Sequence, residues 1–114
     1  MNNCIFIVAG EVSGDIFGAN LVNKILAINS KITFYGLGGD KMRQSGVGLI
    51  EHTDNLSVMG TFEVIRKIFF FKKLLKKTLN EIDKYNPKAI ILIDYPGFNL
   101  RLVKKMKKKS IPIY

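Results

Sequence analysis

Apolar and polar positions alternate between two regimes along this chain. Short unbroken apolar runs occur at Cys4–Ala9 (CIFIVA) and Ala89–Ile93 (AIILI), shorter and mixed stretches that could be strands at Ile32–Tyr35 and Gly48–His52, and a last apolar run begins at Ile111. Runs of this length bounded by turn residues read as strands, and those apolar throughout read as strands buried on both faces. Between them the pattern changes to helical spacing. Phe17, Leu21, Ile25 and Ile28 fall at helical spacing and predict a helix from the Gly10–Asp15 loop to about Asn29. Asp40–Ser45 predicts one or two helical turns ended by Gly46, and Thr53–Gly60 a loop. A long helix is expected from Thr61 to Tyr85, stopped by Asn86-Pro87, and a further one from Leu100 to about Lys109, capped by Asn99. Strands alternating with helices predict an α/β fold with a parallel sheet flanked by helices. No repeat or internal linker divides residues 1–114, so one domain is expected, and the strand just begun at Tyr114 makes it look incomplete.

The long helix has one apolar face too many. Val64, Ile68, Phe71, Leu75, Leu79 and Ile82 form a stripe suited to packing on the sheet. Phe62, Ile65, Phe69 and Phe70 fall away from that stripe, among Arg66, Lys73, Lys76 and Lys77. Rings inserted among headgroups with lysines meeting anionic lipid account for such a face, as does a covering domain or subunit. Phosphate-binding lysines with stacking rings give a third reading, nucleic acid. Phenylalanines at helical spacing are packing groups rather than a stacking platform, which favours the membrane surface over nucleic acid.

Charge strengthens the case for an anionic partner. The net charge is +9, and thirteen of the eighteen basic residues lie in Arg66–Lys84 and Arg101–Lys109. A solvated face would also account for either cluster alone. The single cysteine, Cys4, excludes an internal disulfide, and Cys4–Ala9 lacks the length and basic flank of a signal segment. No uncharged apolar run approaches the roughly 20 residues of a membrane span. A cytosolic protein, or one held only at a membrane surface, is expected. With His52 the only histidine, neither a metal site nor a Ser-His-Asp triad is supported, and His52 reads as a strand-end residue.

Two strand ends carry candidate chemistry. Ala89–Ile93 stops on Asp94, and Tyr95-Pro96-Gly97 forces a turn. An acid at the carboxyl end of a buried parallel strand lies on the edge where open α/β sheets bind ligands. Asp94 is therefore either a general base or a turn-capping group. The first strand ends in Gly10-Glu11-Val12-Ser13-Gly14-Asp15 and opens a helix. Gly10, Gly14 and Gly18 are spaced four apart, unlike the dinucleotide fingerprint, and no phosphate-binding G-x-x-x-x-G-K-[ST] loop is present. Glu11, Ser13 and Asp15 are candidate ligand contacts, with Asp15 alternatively serving the helix start. Gly36–Gly39 is a second loop after a strand and reads as a turn.

Taken together, AGEVSGD (Ala9–Asp15), GLGGDKM (Gly36–Met42), LSVMGTFEV (Leu56–Val64) and IDYPGFN (Ile93–Asn99) resemble the amino-terminal part of the lipid-A-disaccharide synthase family, in the same order and at similar separations. The resemblance implies a Rossmann-like domain, the truncated N-terminal half of a GT-B glycosyltransferase. It implies transfer of 2,3-diacylglucosamine from UDP-2,3-diacylglucosamine to lipid X, with inversion, giving lipid A disaccharide 1-phosphate and UDP. No metal or cofactor is implied, and the location is the cytoplasmic face of the inner membrane of Gram-negative bacteria, as a peripheral protein. Asp94 matches the family's essential aspartate, the general base on the acceptor hydroxyl. Glu11, Ser13 and Asp15 match its cleft-facing loop, and Phe62–Leu75 its membrane-facing patch. The family usually has an acid where Gly97 stands. Its carboxy-terminal domain, which holds most of the UDP-sugar, lies outside these 114 residues, so they are expected to be inactive without that half, supplied in cis or in trans.

Overall fold

The computed structural model describes residues 3–57, 64–107 and 109–114. β1 (Cys4–Ala9) is buried along its whole length. It takes that position by being apolar at every residue: Phe6 and Val8 feed one side of the sheet, while Ile5, Ile7 and Ala9 feed the other. The strand order is β3-β2-β1-β4, with β2 at Thr33–Gly38, β3 at Val47–His52 and β4 at Ala89–Ile93. All pairings are parallel, with Ile5 opposite Phe34 on one side and opposite Ala89 on the other. Beyond β4, the Tyr114 N–H donates to the Ile90 carbonyl (2.8 Å), and Ile113 bridges Ile90 in parallel. The sheet thus grows from β1 outward to β3, then resumes on the opposite side of β1 with β4. This reversal puts a topological switch point between β1 and β4, and α/β sheets bind ligands at the carboxyl ends of the strands flanking such a point.

Helices α1 (Val12–Ile28) and α2 (Asp40–Gln44) cover one face; α4 (Val64–Tyr85) and α5 (Pro96–Lys105) cover the other. A short α3 (Thr53–Ser57) occupies the first part of the expected 53–60 loop. α4 ends at Asn86, whose φ of 45° gives the left-handed turn that Pro87 then fixes.

Of the apolar positions at helical spacing, Leu21 and Ile25 of α1 and Phe71, Leu75, Leu79 and Ile82 of α4 pack against the core, and the others differ. α1 buries Gly14, Asp15, Gly18, Ala19 and Val22, while Phe17 is 62% and Ile28 88% exposed. The glycines let the helix approach the sheet closely: a Cβ on Gly18 would lie 2.8 Å from Met42 Sδ and 3.3 Å from Ile93 Cδ1. Gly18→Leu is accordingly expected to lower stability by about 1–3 kcal/mol, since it forces extra methylenes into a packed seam. Urea denaturation of the two proteins checks this, and an unchanged midpoint would contradict the packing described.

In α4, Leu74, Thr78 and Ile82 are buried, with Phe70, Phe71, Leu75 and Leu79 packed beside them. Phe70 therefore belongs to the core and not to the outer face, whereas Ile68, expected inward, is 48% exposed. α5 begins at Pro96, four residues before the predicted start, because proline's fixed φ suits the first helical position. Asn99 is consequently a buried residue within the helix rather than its cap.

Candidate active site

The residues after β1 and after β4 are brought side by side, since Ala9 pairs with Ile93. Gly10 and Asp94 each follow directly on that last register pair. The backbone at Gly10 is constrained by Tyr95: a Cβ there would fall 2.5 Å from Tyr95 Cγ, so only glycine leaves room for the ring. Tyr95 stacks on Phe98 (5.3 Å between centroids, 20° between planes) and meets Phe71 of α4 at 6.1 Å. Burial pushes its phenol up from the ordinary tyrosine range, and the Glu11 carboxylate adds to the effect. Tyr95 is thus a neutral, rigid wall at neutral pH, able to donate or accept one hydrogen bond.

A cavity of about 380 Å³ opens beside this wall, lined by Gly10, Glu11, Val12, Thr53, Asp54, Leu56 and Tyr95. Glu11 contributes because it stands at the start of α1 in extended conformation (φ −139°, ψ 167°) and its side chain caps nothing. The first N–H groups of α1 open toward the same edge, where a helix start favours polar or anionic groups. Sequence reasoning names Glu11 but misses Tyr95, Thr53, Asp54 and Leu56. Tyr95 lies inside the IDYPGFN block, and its bulk opposite a glycine is the signal that marks it as a wall.

Asp94 is exposed at the carboxyl end of β4 and adopts φ 38°. It immediately precedes the Tyr95 wall and does not itself line the cavity. Left-handed backbone is uncommon for a residue with a side chain, though Asp and Asn tolerate it best. Such outliers persist where the surroundings over-determine them, and they gather at functional sites. Here the surroundings are the end of a paired strand on one side and Pro96 on the other. Among the described residues no hydrogen bond or ion pair engages the Asp94 carboxylate, so it is available to an incoming group.

Asp15 takes a different position from its neighbours in the loop. It is 5% exposed and turned inward. Its Oδ1 accepts the N–H groups of Gly39 (2.8 Å) and Met42 (2.9 Å), and its Oδ2 accepts that of Lys41 (3.0 Å). Gly39 is the N-cap of α2 and has no side-chain cap of its own, so Asp15 caps α2 from another helix. The expected ligand contact at Asp15 is therefore replaced by a structural role in which its acceptors are already engaged. Ser13 is exposed in the first turn of α1 and does not line the cavity.

His52 closes β3, as anticipated for a strand-end residue. Its Nδ1 accepts the Asp54 N–H (3.0 Å), which leaves the proton on Nε2 to reach Asp40 Oδ1 at 2.9 Å. That bond, with Arg43 adjacent, holds the Asp40 carboxyl below its usual range. Among the described residues no group of three His, Cys, Asp or Glu side chains could hold a metal ion, and no helix is long and apolar enough to cross a membrane.

Of the surface residues singled out on α4, Phe62 lies outside the described residues. Ile65 and Phe69 are exposed at 65% and 67%. Lys77 pairs with Glu51 (3.2 Å), and both line a small cavity with Phe70, Lys73 and Leu74 on the β3 side. Lys76 faces the opposite way, toward α5.

The family model described as lipid-A-disaccharide synthetase matches residues 5–114. Among curated relatives, the lipid-A-disaccharide synthase of Coxiella burnetii is 33% identical over 112 residues, covering 98% of this chain and 30% of that protein. That of Trichlorobacter lovleyi is 38% identical over 109 residues, covering 96% and 28%. That of Chlamydia pneumoniae is 40% identical over 103 residues, covering 90% and 17%. The chain therefore spans less than a third of the length of these relatives.

Proposed function

This chain belongs to the lipid-A-disaccharide synthetase family, and from that premise we propose that it forms the acceptor-side half of a glycosyltransferase of lipid A biosynthesis. The observation that carries the proposal is the placement of Asp94: an exposed carboxylate on left-handed backbone, at the carboxyl end of a strand flanking the switch point. In this reading Asp94 takes the proton from the primary hydroxyl of lipid X, 2,3-diacylglucosamine 1-phosphate. The hydroxyl oxygen then attacks the anomeric carbon of UDP-2,3-diacylglucosamine from the face opposite the nucleotide. The new glycosidic bond forms as the bond to UDP breaks, and the configuration inverts. Glu11 and Tyr95 border the space the acceptor sugar would fill.

Transfer gains its rate from holding both substrates in line and from stabilising the departing diphosphate. In this proposal the nucleotide-binding share falls to a second domain that faces this one, supplied in cis or in trans. The 114 residues by themselves are then expected to release no UDP from the two purified lipids above an Asp94→Asn control. Release above that control would overturn the division of labour proposed.

The acceptor and donor are acylated, so the site must work at a membrane surface. The first turns of α4 suit that setting. Ile65, Ile68 and Phe69 are exposed together, and Lys72 and Lys76 continue the same helical row. A peripheral, cytoplasmic position on the inner face of the inner membrane follows from this reading. Phe70 packs against the core and Lys77 pairs with Glu51, while Lys73 is exposed on the β3 side of the helix.

A further inference from the structure

A second concavity is not lined by Asp94. It is a groove of about 690 Å³ between α4 and α5, whose cations are Lys72 and Lys76 from α4 and Arg101, Lys104 and Lys105 from α5. Leu75 and Leu79 form its apolar floor, and no acidic residue lines it. Five like charges around one groove repel one another at a cost to folding, so their convergence calls for an anionic occupant. We propose that this groove binds the phosphodiester headgroup of an anionic phospholipid, making the protein selective for anionic membrane and not merely adherent to apolar surface. The inference rests on the membrane reading of α4 given above.

Three features favour a lipid over another polyanion. First, the groove continues the exposed apolar cluster. Ile65, Ile68, Phe69, Lys72 and Lys76 follow one another along one helix face. At about 1.5 Å per residue, Lys76 lies roughly 12 Å along the axis from Ile68. Apolar side chains dipping below the headgroups would therefore place the cations at phosphate level. Second, the leucine floor offers a surface to the glycerol and upper acyl methylenes, while long lysine and arginine stems cover the groove walls with their charges outward. Third, no aromatic ring lines the groove, so stacking, the contact most useful to single-stranded nucleic acid, is missing from it.

The test compares co-sedimentation of the 114-residue chain with vesicles of phosphatidylcholine alone and of phosphatidylcholine mixed with phosphatidylglycerol. The groove variant carries Lys72→Gln, Lys76→Gln, Arg101→Gln and Lys104→Gln. A charge-matched control carries Lys24→Gln, Lys31→Gln, Lys41→Gln and Lys88→Gln, and far-UV circular dichroism verifies that both fold. The unsubstituted chain should prefer the anionic vesicles, and the groove variant should lose about fivefold in partitioning for each charge removed. The control should stay near the unsubstituted chain. Equal loss in both variants would overturn the proposal in favour of net charge. Unchanged binding of the groove variant would overturn the groove alone, leaving the membrane reading in place. Failure of the unsubstituted chain to bind either vesicle would remove both. Binding of a DNA duplex, lost in the groove variant and unmatched by any preference for anionic vesicles, would assign the groove to nucleic acid instead.

Discussion

Asp15→Ala is expected to remove a large share of this chain's folding stability. The carboxylate accepts three backbone N–H groups at 2.8–3.0 Å, and two of those bonds are fully buried. Hydrogen bonds to a charged acceptor contribute roughly 1.5–3 kcal/mol each, and a buried donor left without a partner carries its whole desolvation cost. Even with strong non-additivity, the loss should exceed about 4 kcal/mol, against a total of about 5–15 kcal/mol for ordinary domains. The damage is also widely placed, because Asp15 joins the first turn of α1 to the start of α2 and to the end of β2. Asp15→Asn should be intermediate. Its amide oxygen can keep the bonds from Gly39 and Met42, while its NH₂ would face the Lys41 N–H, donor against donor. Urea unfolding followed by far-UV circular dichroism should find the unsubstituted chain most stable, Asp15→Asn next and Asp15→Ala least. A midpoint for Asp15→Ala equal to that of the unsubstituted chain would show that these bonds are not what fixes the loop.

The strands β1 and β4 are legible because Cys4–Ala9 and Ala89–Ile93 are apolar at every residue, and the sheet pairs them side by side. The inward faces of the helices are less legible, for two different reasons. On α1, close approach to the sheet selects Gly14, Gly18 and Ala19, so a search for large apolar residues finds Phe17 and Ile28 on the outside. On α4, length is the cause. Twenty-two residues of helix extend about 33 Å, whereas strands of five or six residues span about 17–20 Å. The first turns therefore overshoot the sheet edge, and Ile65, Ile68 and Phe69 are left exposed.

The site divides in the same way. An apolar strand ending on an acid makes Asp94 a candidate from sequence alone, because the end of the run and the charge coincide. Asp15 misleads because its partners are backbone groups twenty-four to twenty-seven residues away, which no side-chain pattern announces. Tyr95 escapes notice because its role depends on Gly10 across the strand pair, a contact that only the register of β1 and β4 creates.

On the function proposed above, Asp94→Asn is expected to slow glycosyl transfer by at least about a hundredfold wherever this chain is paired with a donor half. The substitution keeps the size of the side chain and its tolerance for left-handed backbone, so the turn into α5 should survive. What it removes is the capacity to accept a proton from the attacking hydroxyl. A positioned general base contributes typically 10²–10⁴-fold, equivalent to about 3–5 kcal/mol of barrier. Because the lost interaction is with a proton in flight and not with the bound sugar, the effect should fall on kcat, with KM for the acceptor little altered. Loss confined to KM would instead mark Asp94 as a binding group.

The most direct measurement uses a chimera in which this chain replaces the 112 matching residues of the Coxiella burnetii relative. UDP release from UDP-2,3-diacylglucosamine and lipid X is followed in the chimera and in an otherwise identical protein carrying Asp94→Asn. The chimera with Asp94 intact should turn over, and its Asp94→Asn counterpart should be slower by at least about a hundredfold in kcat. An Asp94→Asn chimera that turns over at a rate comparable to its parent would contradict the assignment of Asp94 as the base.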